Sequence, residues 1–152
     1  MKLLEFRTEV NAPAKKVWET MLNPDTYKEW VEPSWPGSYY TGKFGKDEIV
    51  KFLSSEGGGT AARIVEYAPY QTLLAEHVAV IQSDGKEDRD SVIAKGWIGS
   101  TEQYTFTENN GKTTVRVSIK TSPEWESMFY DGWPAALAKL KEVSERAAVG
   151  AR

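Results

Sequence analysis

The chain opens with an alternation of apolar and charged residues that is typical of a half-buried strand. Leu4, Phe6 and Val10 lie on one side of this pattern, with charged residues on the other. The next two segments, NAPAKKVWETMLN (11–23) and NPDTYKEW (23–30), change to helical spacing, and each carries a proline where the first turn of a helix accepts one. The pattern therefore predicts one strand followed by two short helices.

Alternating segments separated by turn residues dominate the middle of the chain. An Asn-Gly pair at 110–111 is a strong signal for a hairpin between the last two of them. The polar segment 83–95 shows no periodicity, and we expect a flexible loop there. Six strands are predicted in SYYTGKF (38–44), DEIVKFLSS (47–55), TAARIVEYAPY (60–70), QTLLAEHVAVIQ (71–82), GWIGSTEQYTFTE (96–108) and KTTVRVSIKT (112–121).

The last segment predicts a long helix that carries a stripe of large apolar side chains. Gly132 and Pro134 fall inside this pattern, and a proline there removes a backbone hydrogen bond, so we expect a kink or a break around 130–134. The stripe consists of Trp125, Phe129, Trp133, Leu137 and Leu140.

The order of these elements favours a single α+β domain over residues 1–152. A twisted antiparallel sheet of seven strands curls, and its concave face must be covered. The C-terminal helix is the one predicted element long enough to cover it. We therefore expect a curved sheet closed by that helix, with the two short helices after the first strand.

Composition narrows the possible functions. The chain has no cysteine, which excludes disulfides and thiolate chemistry, and with a single histidine no metal or cofactor is expected. A formal net charge of −3 with scattered basic residues argues against nucleic acid as a partner. No signal peptide is recognisable and no apolar run approaches the ~20 residues of a membrane span. A cytoplasmic protein without a membrane partner is the expectation.

Four stretches of the chain resemble the START-related (SRPBCC) superfamily, and within it the family related to the C-terminal domain of the activator of Hsp90 ATPase. The resemblance implies the helix-grip (START/Bet v 1-like) fold, with a deep cavity between the sheet and the last helix. Members of the superfamily bind lipids, sterols, plant hormones or polyketides, and some are cyclases or dehydratases. The matching stretches are VNAPAKKVWETMLNPDTYKEW (10–30), GGGTAARIVEYAPYQTLLAEH (57–77), STEQYTFTENNGKTTVRV (100–117) and GWPAALAKLKEVSE (132–145).

The aromatic stripe and the single histidine are the first candidates for a binding site. The rings of Trp125, Phe129 and Trp133 either fill a core or line a cavity, since ligand pockets are mostly apolar with a few polar groups. His77 shares the apolar face of its strand with Ala75, where it is a hydrogen-bonded core residue, a ligand contact or a general base.

Four further residues are predicted to contact a ligand. Trp30 reaches the cavity from the second helix, and Trp35 and Tyr40 lie where the chain enters the sheet, at a plausible cavity mouth. Gln103 is a polar candidate on a predicted strand, where alternation places either Gln103 or Tyr104 inward, but not both.

The leading hypothesis is the binding of a small, largely hydrophobic molecule in this cavity, without chemistry. The alternative is an enzyme of the cyclase or dehydratase type that uses His77 with a tyrosine. A third hypothesis is an interaction protein acting on a chaperone, although the activator's separate N-terminal domain has no counterpart in these 152 residues. Exposed edge strands allow either a monomer or a homodimer.

Overall fold

A computed structural model of the chain describes the backbone of residues 1–150 and the side chains of residues 1–146. Strands and helices follow one another in the predicted order, with two additions after the fifth strand. A 3₁₀ turn, Pro123–Trp125, precedes the last helix. The elements are β1 (Lys2–Val10), α1 (Ala14–Leu22), α2 (Pro24–Val31), β2 (Tyr39–Thr41), β3 (Ile49–Leu53), β4 (Gly59–Ala68), β5 (Thr72–Ile81), β6 (Glu87–Asp88), α3 (Val92–Trp97), β7 (Thr101–Asn109), β8 (Lys112–Thr121) and α4 (Glu126–Gly150).

The described strands form one curved antiparallel sheet of eight strands. Its order is β1-β8-β7-β5-β4-β3-β2, and the two-residue β6 pairs with β5. Two register shifts between β4 and β5, at Ala61/Ala62 and between Ile64 and Glu66, add local bend and twist to the sheet. The predicted α+β helix-grip fold is confirmed, with β6 as an eighth, minor strand.

Local sequence signals set the boundaries of the first helices and of the last hairpin. The side chain of Asn23 caps α2 by accepting a hydrogen bond from the backbone N–H of Asp25. Asn110 and Gly111 have φ angles of 55° and 79°, which suits the tight turn between β7 and β8. The two short helices and this hairpin are therefore where the sequence predicted them.

Helix α4 closes the concave face of the sheet and packs against β1, α1 and α2. It runs through Gly132 and Pro134 as one helix, so of the predicted kink or break the break does not occur. A proline in a helix interior costs about 3 kcal/mol. Burying one large apolar side chain contributes about 1.5–3 kcal/mol, and Phe129, Trp133 and Leu140 are all buried on this helix. Packing therefore outweighs the missing hydrogen bond.

The segment predicted as a flexible loop contains β6 and α3, and this prediction is also wrong. The carboxylate of Asp88 accepts hydrogen bonds from the backbone N–H of Asp90 and from both the N–H and the hydroxyl of Ser91. The Ser91 hydroxyl in turn caps α3 at the N–H of Ala94. Helix α3 extends to Trp97, which is buried, and the predicted strand 96–108 therefore begins only at Thr101.

None of the helices in residues 1–150 combines the length and the apolar character needed to span a membrane.

Candidate functional site

A cavity of about 350 Å³ lies between the concave face of the sheet and the beginning of α4. This volume is at the lower end of the range for small-molecule pockets. Met128 is the most exposed lining residue, at 39%, and marks a side that opens to solvent. Half of the 16 lining residues carry an aromatic ring, and besides His77 and Tyr104 they are Trp30, Trp35, Phe52, Trp97, Phe129 and Trp133.

Three polar side chains meet on the sheet side of this cavity. His77 lies on β5, and Glu102 and Tyr104 lie two residues apart on the neighbouring strand β7, so all three point to the concave face. The Tyr104 hydroxyl donates to Glu102 Oε2 at 2.7 Å. His77 Nε2 lies 3.7 Å from Glu102 Oε1, which makes this contact electrostatic rather than a hydrogen bond.

The surroundings of this cluster keep Glu102 charged and Tyr104 neutral. Burial raises the pKa of Glu102, but the contacts with His77 and the Tyr104 hydroxyl outweigh burial and hold this pKa below its ordinary value. Burial and the adjacent charge of Glu102 raise the pKa of Tyr104 well above the usual tyrosine value. The same two causes raise the pKa of Tyr27. The cavity therefore contains a carboxylate at neutral pH.

Several polar atoms of the lining are buried without a hydrogen-bond partner among the described residues. They are both ring nitrogens of His77 and the indole nitrogens of Trp97 and Trp133. Buried polar groups in folded proteins are nearly always paired, because an unpaired one costs about 1–3 kcal/mol. Each of these atoms has almost no exposed surface, so a side chain must move before water or a bound molecule can reach it. No group of three or more metal-ligating side chains occurs in the described part of the chain.

Five of the eight residues predicted to bind a ligand line this one cavity. They come from α2, the segment after it, β5 and α4, which the fold brings together. Their role in binding remains a prediction. These residues are Trp30, Trp35, His77, Phe129 and Trp133.

Tyr40 lies outside the cavity, contrary to its predicted place at the mouth. Its hydroxyl donates to the backbone carbonyl of Leu22, and its ring packs on Tyr27 at 5.0 Å between centroids. Burial raises the pKa of Tyr40 to about 12, so the hydroxyl stays a donor. The ring lines a separate groove together with Trp18 and Tyr67. Tyr40 therefore joins α1 to β2.

The structure also places Gln103 and Trp125 outside the lining. Strand alternation turns Gln103 to the opposite face of the sheet, where its amide lies 3.3 Å from the Thr72 hydroxyl. Tyr104 takes the inward position instead. Trp125 belongs to the 3₁₀ turn before α4, and its ring packs edge-on against Trp97 at 5.4 Å. Trp125 thus supports one wall from behind.

Glu102 and Trp97 are lining residues that the sequence analysis missed. Glu102 alternates in phase with Tyr104, so choosing Tyr104 as the inward residue would have found it. Trp97 was assigned to a strand, and its place on α3 depends on the serine cap described above. Neither residue carries a motif of its own.

Gly132 controls the position of Trp35 at the cavity wall. A methyl group at Gly132 would lie 2.5 Å from Cζ2 of the Trp35 ring. We expect Gly132→Ala to cost about 1–2 kcal/mol of unfolding free energy, because the overpacking exceeds the gain of about 1 kcal/mol in helix propensity. The same substitution combined with Trp35→Ala should be neutral or stabilising. Urea unfolding of the wild type, the two single variants and the double variant measures the cost of Gly132→Ala with and without the Trp35 ring. Equal costs in both backgrounds would show that the ring is not the obstacle.

Glu102 should make folding stability depend on pH in a specific direction. Its pKa is lower in the folded protein than in the unfolded chain, where glutamate titrates near about 4.3. As pH falls, the unfolded state therefore takes up the proton before the folded state does. The stability that charged Glu102 contributes is complete above the pKa of the unfolded state, and it is lost as pH falls through the pKa of the folded state. In Glu102→Gln the side chain at this position does not titrate, so this part of the pH dependence is absent.

The measurement is urea unfolding of wild type and Glu102→Gln from pH 7 down to pH 3, followed by circular dichroism. We expect the wild type to lose stability relative to the variant as pH falls. Glu56→Gln, at an exposed turn, is the control that should follow the wild type. A difference that stays constant with pH, or grows in favour of the wild type, contradicts this assignment.

Comparison with known proteins identifies one family and several solved structures that share the fold of this chain. The model of the activator of Hsp90 ATPase homolog 1-like protein family matches residues 11–145. No curated protein sequence matches the chain.

Solved structures with the same fold cover nearly the whole chain. A crystal structure of a protein from Mesorhizobium loti has a TM-score of 0.75 at 15% identity and covers 95% of this chain and 98% of that chain. The solution structure of an Aha1 dimer from Colwellia psychrerythraea has a TM-score of 0.70 at 17% identity and covers 95% of this chain and 97% of that chain.

The crystal structure of DynU16, a protein of the dynemicin biosynthetic locus, has a TM-score of 0.68 at 15% identity. It covers 93% of this chain and 46% of that chain. Identities this low establish a shared fold and leave the chemistry to be argued from the site.

Proposed function

The chain belongs to the activator of Hsp90 ATPase homolog 1-like family, and we propose that it binds a small, largely apolar molecule in the cavity between its sheet and α4. The observation that carries this proposal is the cavity of about 350 Å³ with aromatic walls and a few buried polar groups. Surface grooves of similar volume occur elsewhere on the described residues, so volume alone does not identify a site. What distinguishes this cavity is its mostly apolar, aromatic lining with a few polar groups, which is typical of ligand pockets.

The composition of the wall indicates what kind of molecule fits. Flat aromatic rings favour a planar or ring-containing guest, because offset and edge-on contacts between rings add about 0.5–1.5 kcal/mol to the gain from apolar burial. Glu102 favours a guest that also carries a hydrogen-bond donor, because its Oε1 lies 3.7 Å from the nearest partner, His77 Nε2. A plain hydrocarbon would leave this oxygen unpaired.

Binding can be tested with N-phenyl-1-naphthylamine, an uncharged dye whose fluorescence rises in apolar sites. We expect the purified protein to bind the dye with one site per chain, and compounds that displace it should raise the melting temperature, because they bind only the folded state. A protein that binds no dye, and whose melting temperature no compound of a small aromatic library raises, would contradict the proposal.

Two substitutions on α4 separate binding in the cavity from binding on the surface. Met128 lines the cavity and is 39% exposed, whereas Tyr130, two residues later, is 49% exposed and outside the lining. We expect Met128→Trp to narrow the opening and weaken dye binding at least about fivefold, equivalent to about 1 kcal/mol. Tyr130→Trp should leave binding unchanged. Equal effects of the two substitutions would place the dye elsewhere.

An enzymatic role is the second candidate, and the position of His77 favours it. The imidazole is 3% exposed, lines the cavity and faces Glu102, an arrangement in which a carboxylate orients a general base. DynU16 is a protein of a biosynthetic locus, which agrees with chemistry on this fold. Compounds found by dye displacement would be incubated with the protein and followed by mass spectrometry.

If the protein is an enzyme, His77→Gln should bind such a compound normally and fail to convert it. Conversion that persists in His77→Gln would contradict the role of this residue.

The description of the family names the activator of Hsp90 ATPase, so a chaperone partner stays a prediction. A pull-down with Hsp90 tests it.

A further inference from the structure

The charge inside the cavity indicates which ligands it accepts. Among the described residues that line it, Glu102 is the single Asp, Glu, Lys or Arg. We propose that the bound molecule is an aromatic amine-bearing compound whose protonated amine contacts Glu102, and that ligands with a carboxylate are rejected. This inference rests on the proposed function, since it names the ligand class of the same cavity.

The first argument is the incomplete coordination of the Glu102 carboxylate. Oε2 accepts the hydroxyl of Tyr104 at 2.7 Å, whereas Oε1 faces His77 Nε2 at 3.7 Å, beyond hydrogen-bond distance. Within residues 1–146 no lysine or arginine nitrogen lies within 4.0 Å of this carboxylate. The side chain is 14% exposed, so one oxygen is left for a donor that arrives from the cavity.

The second argument is the aromatic surface around this carboxylate. Trp30, Trp35, Trp97 and Trp133 line the same cavity, and tryptophan is the side chain whose face attracts a cation most strongly. An ammonium group gains both a charge-assisted hydrogen bond to Glu102 and attraction to these rings. Aromatic walls with one carboxylate are a suitable environment for an organic cation.

The third argument is the cost of the opposite charge. A ligand carboxylate would lie against Glu102 in a site of low polarity, where the described lining residues include no Lys or Arg. The indole N–H groups of Trp97 and Trp133 have almost no exposed surface, so they offer a ligand carboxylate no donor in this arrangement.

The state of Glu102 agrees with this inference. Contacts with His77 and Tyr104 hold its pKa below the ordinary value in spite of burial, so the carboxylate is charged at neutral pH.

Three probes of one shape test the preference by calorimetry at pH 7. Naphthalen-2-ylmethylamine is a cation, naphthalen-2-ylmethanol is neutral and 2-naphthoate is an anion. We expect the wild-type protein to bind the amine at least roughly tenfold more tightly than the naphthoate, with the alcohol between them. In Glu102→Gln, which keeps the size of the side chain, the difference between amine and naphthoate should fall to within about threefold.

The outcomes separate the two proposals. Naphthoate binding as tightly as the amine to the wild type, or a preference that Glu102→Gln leaves intact, overturns the inference while binding in the cavity stands. A protein that binds the uncharged dye but not the amine also overturns it. Failure of the dye and of all three probes overturns the proposed function, and the ligand class with it.

Discussion

Replacing Trp133 by alanine is expected to lower the free energy of unfolding by about 3–5 kcal/mol. The ring is 3% exposed and touches four others, those of Phe6, Trp30, Trp35 and Tyr104, at centroid distances between 5.5 and 6.5 Å. The substitution removes one of the four buried tryptophan rings of the core and leaves a void beside the existing cavity, which the surrounding helices and sheet can close only in part.

The matched control for this substitution is Trp125→Ala. Trp125 is half-buried, and the one ring within aromatic contact distance of it is Trp97. We expect its loss to cost about 1 kcal/mol, the centre of the distribution for single substitutions. Urea unfolding followed by circular dichroism measures both variants. Equal losses would mean that Trp133 is not the centre of the aromatic core.

Gly59→Ala is the second substitution with a large expected effect. A methyl group at this position would lie 1.9 Å from the backbone carbonyl oxygen of Phe52 and 2.9 Å from Cα of Leu53. Both obstacles belong to the backbone of β3, so the strand itself must move. We expect a loss of about 3 kcal/mol, at the upper end of the cost of overpacking, together with weaker dye binding because Gly59 and Phe52 line the cavity.

Gly45→Ala provides the comparison for Gly59→Ala. Its added methyl would meet only Cγ of the Glu48 side chain, at 3.3 Å. This flexible side chain can move, so we expect a change within about 0.5 kcal/mol. Thermal unfolding and dye titration compare the stability and the dye binding of the two variants. A stable Gly59→Ala protein with normal binding would mean that β3 and β4 tolerate a wider spacing at the cavity.

The fold was largely predictable because its signals are periodic and local. Alternation identified the long strands, and the Asn-Gly pair at 110–111 identified the last hairpin. The family match over residues 11–145 confirms the resemblance drawn from the sequence. Two predictions failed where a non-periodic interaction decides the structure. These are the hydrogen bonds of Asp88 and Ser91 that order α3, and the packing that carries α4 through Pro134.

The candidate site was predictable in much of its apolar part, and His77 was predictable in its polar part. The helical stripe gave Phe129 and Trp133, and strand alternation gave His77. Glu102 was missed because its neighbour His77 lies on β5, and the pairing of β5 with β7 is not evident from the order of residues along the chain. A charged residue in an alternating strand is normally assigned to the solvent face. Its burial follows once Tyr104 rather than Gln103 is known to face inward, because Glu102 alternates in phase with Tyr104.

Four of the six tryptophans, Trp30, Trp35, Trp97 and Trp133, surround the same cavity. Indole emission depends on the polarity of its surroundings, and four of the six indoles of this protein lie next to the space that a guest would enter. Filling or emptying that space changes the water and the quenching groups around these indoles. The chain therefore carries its own unlabelled optical sensor of occupancy.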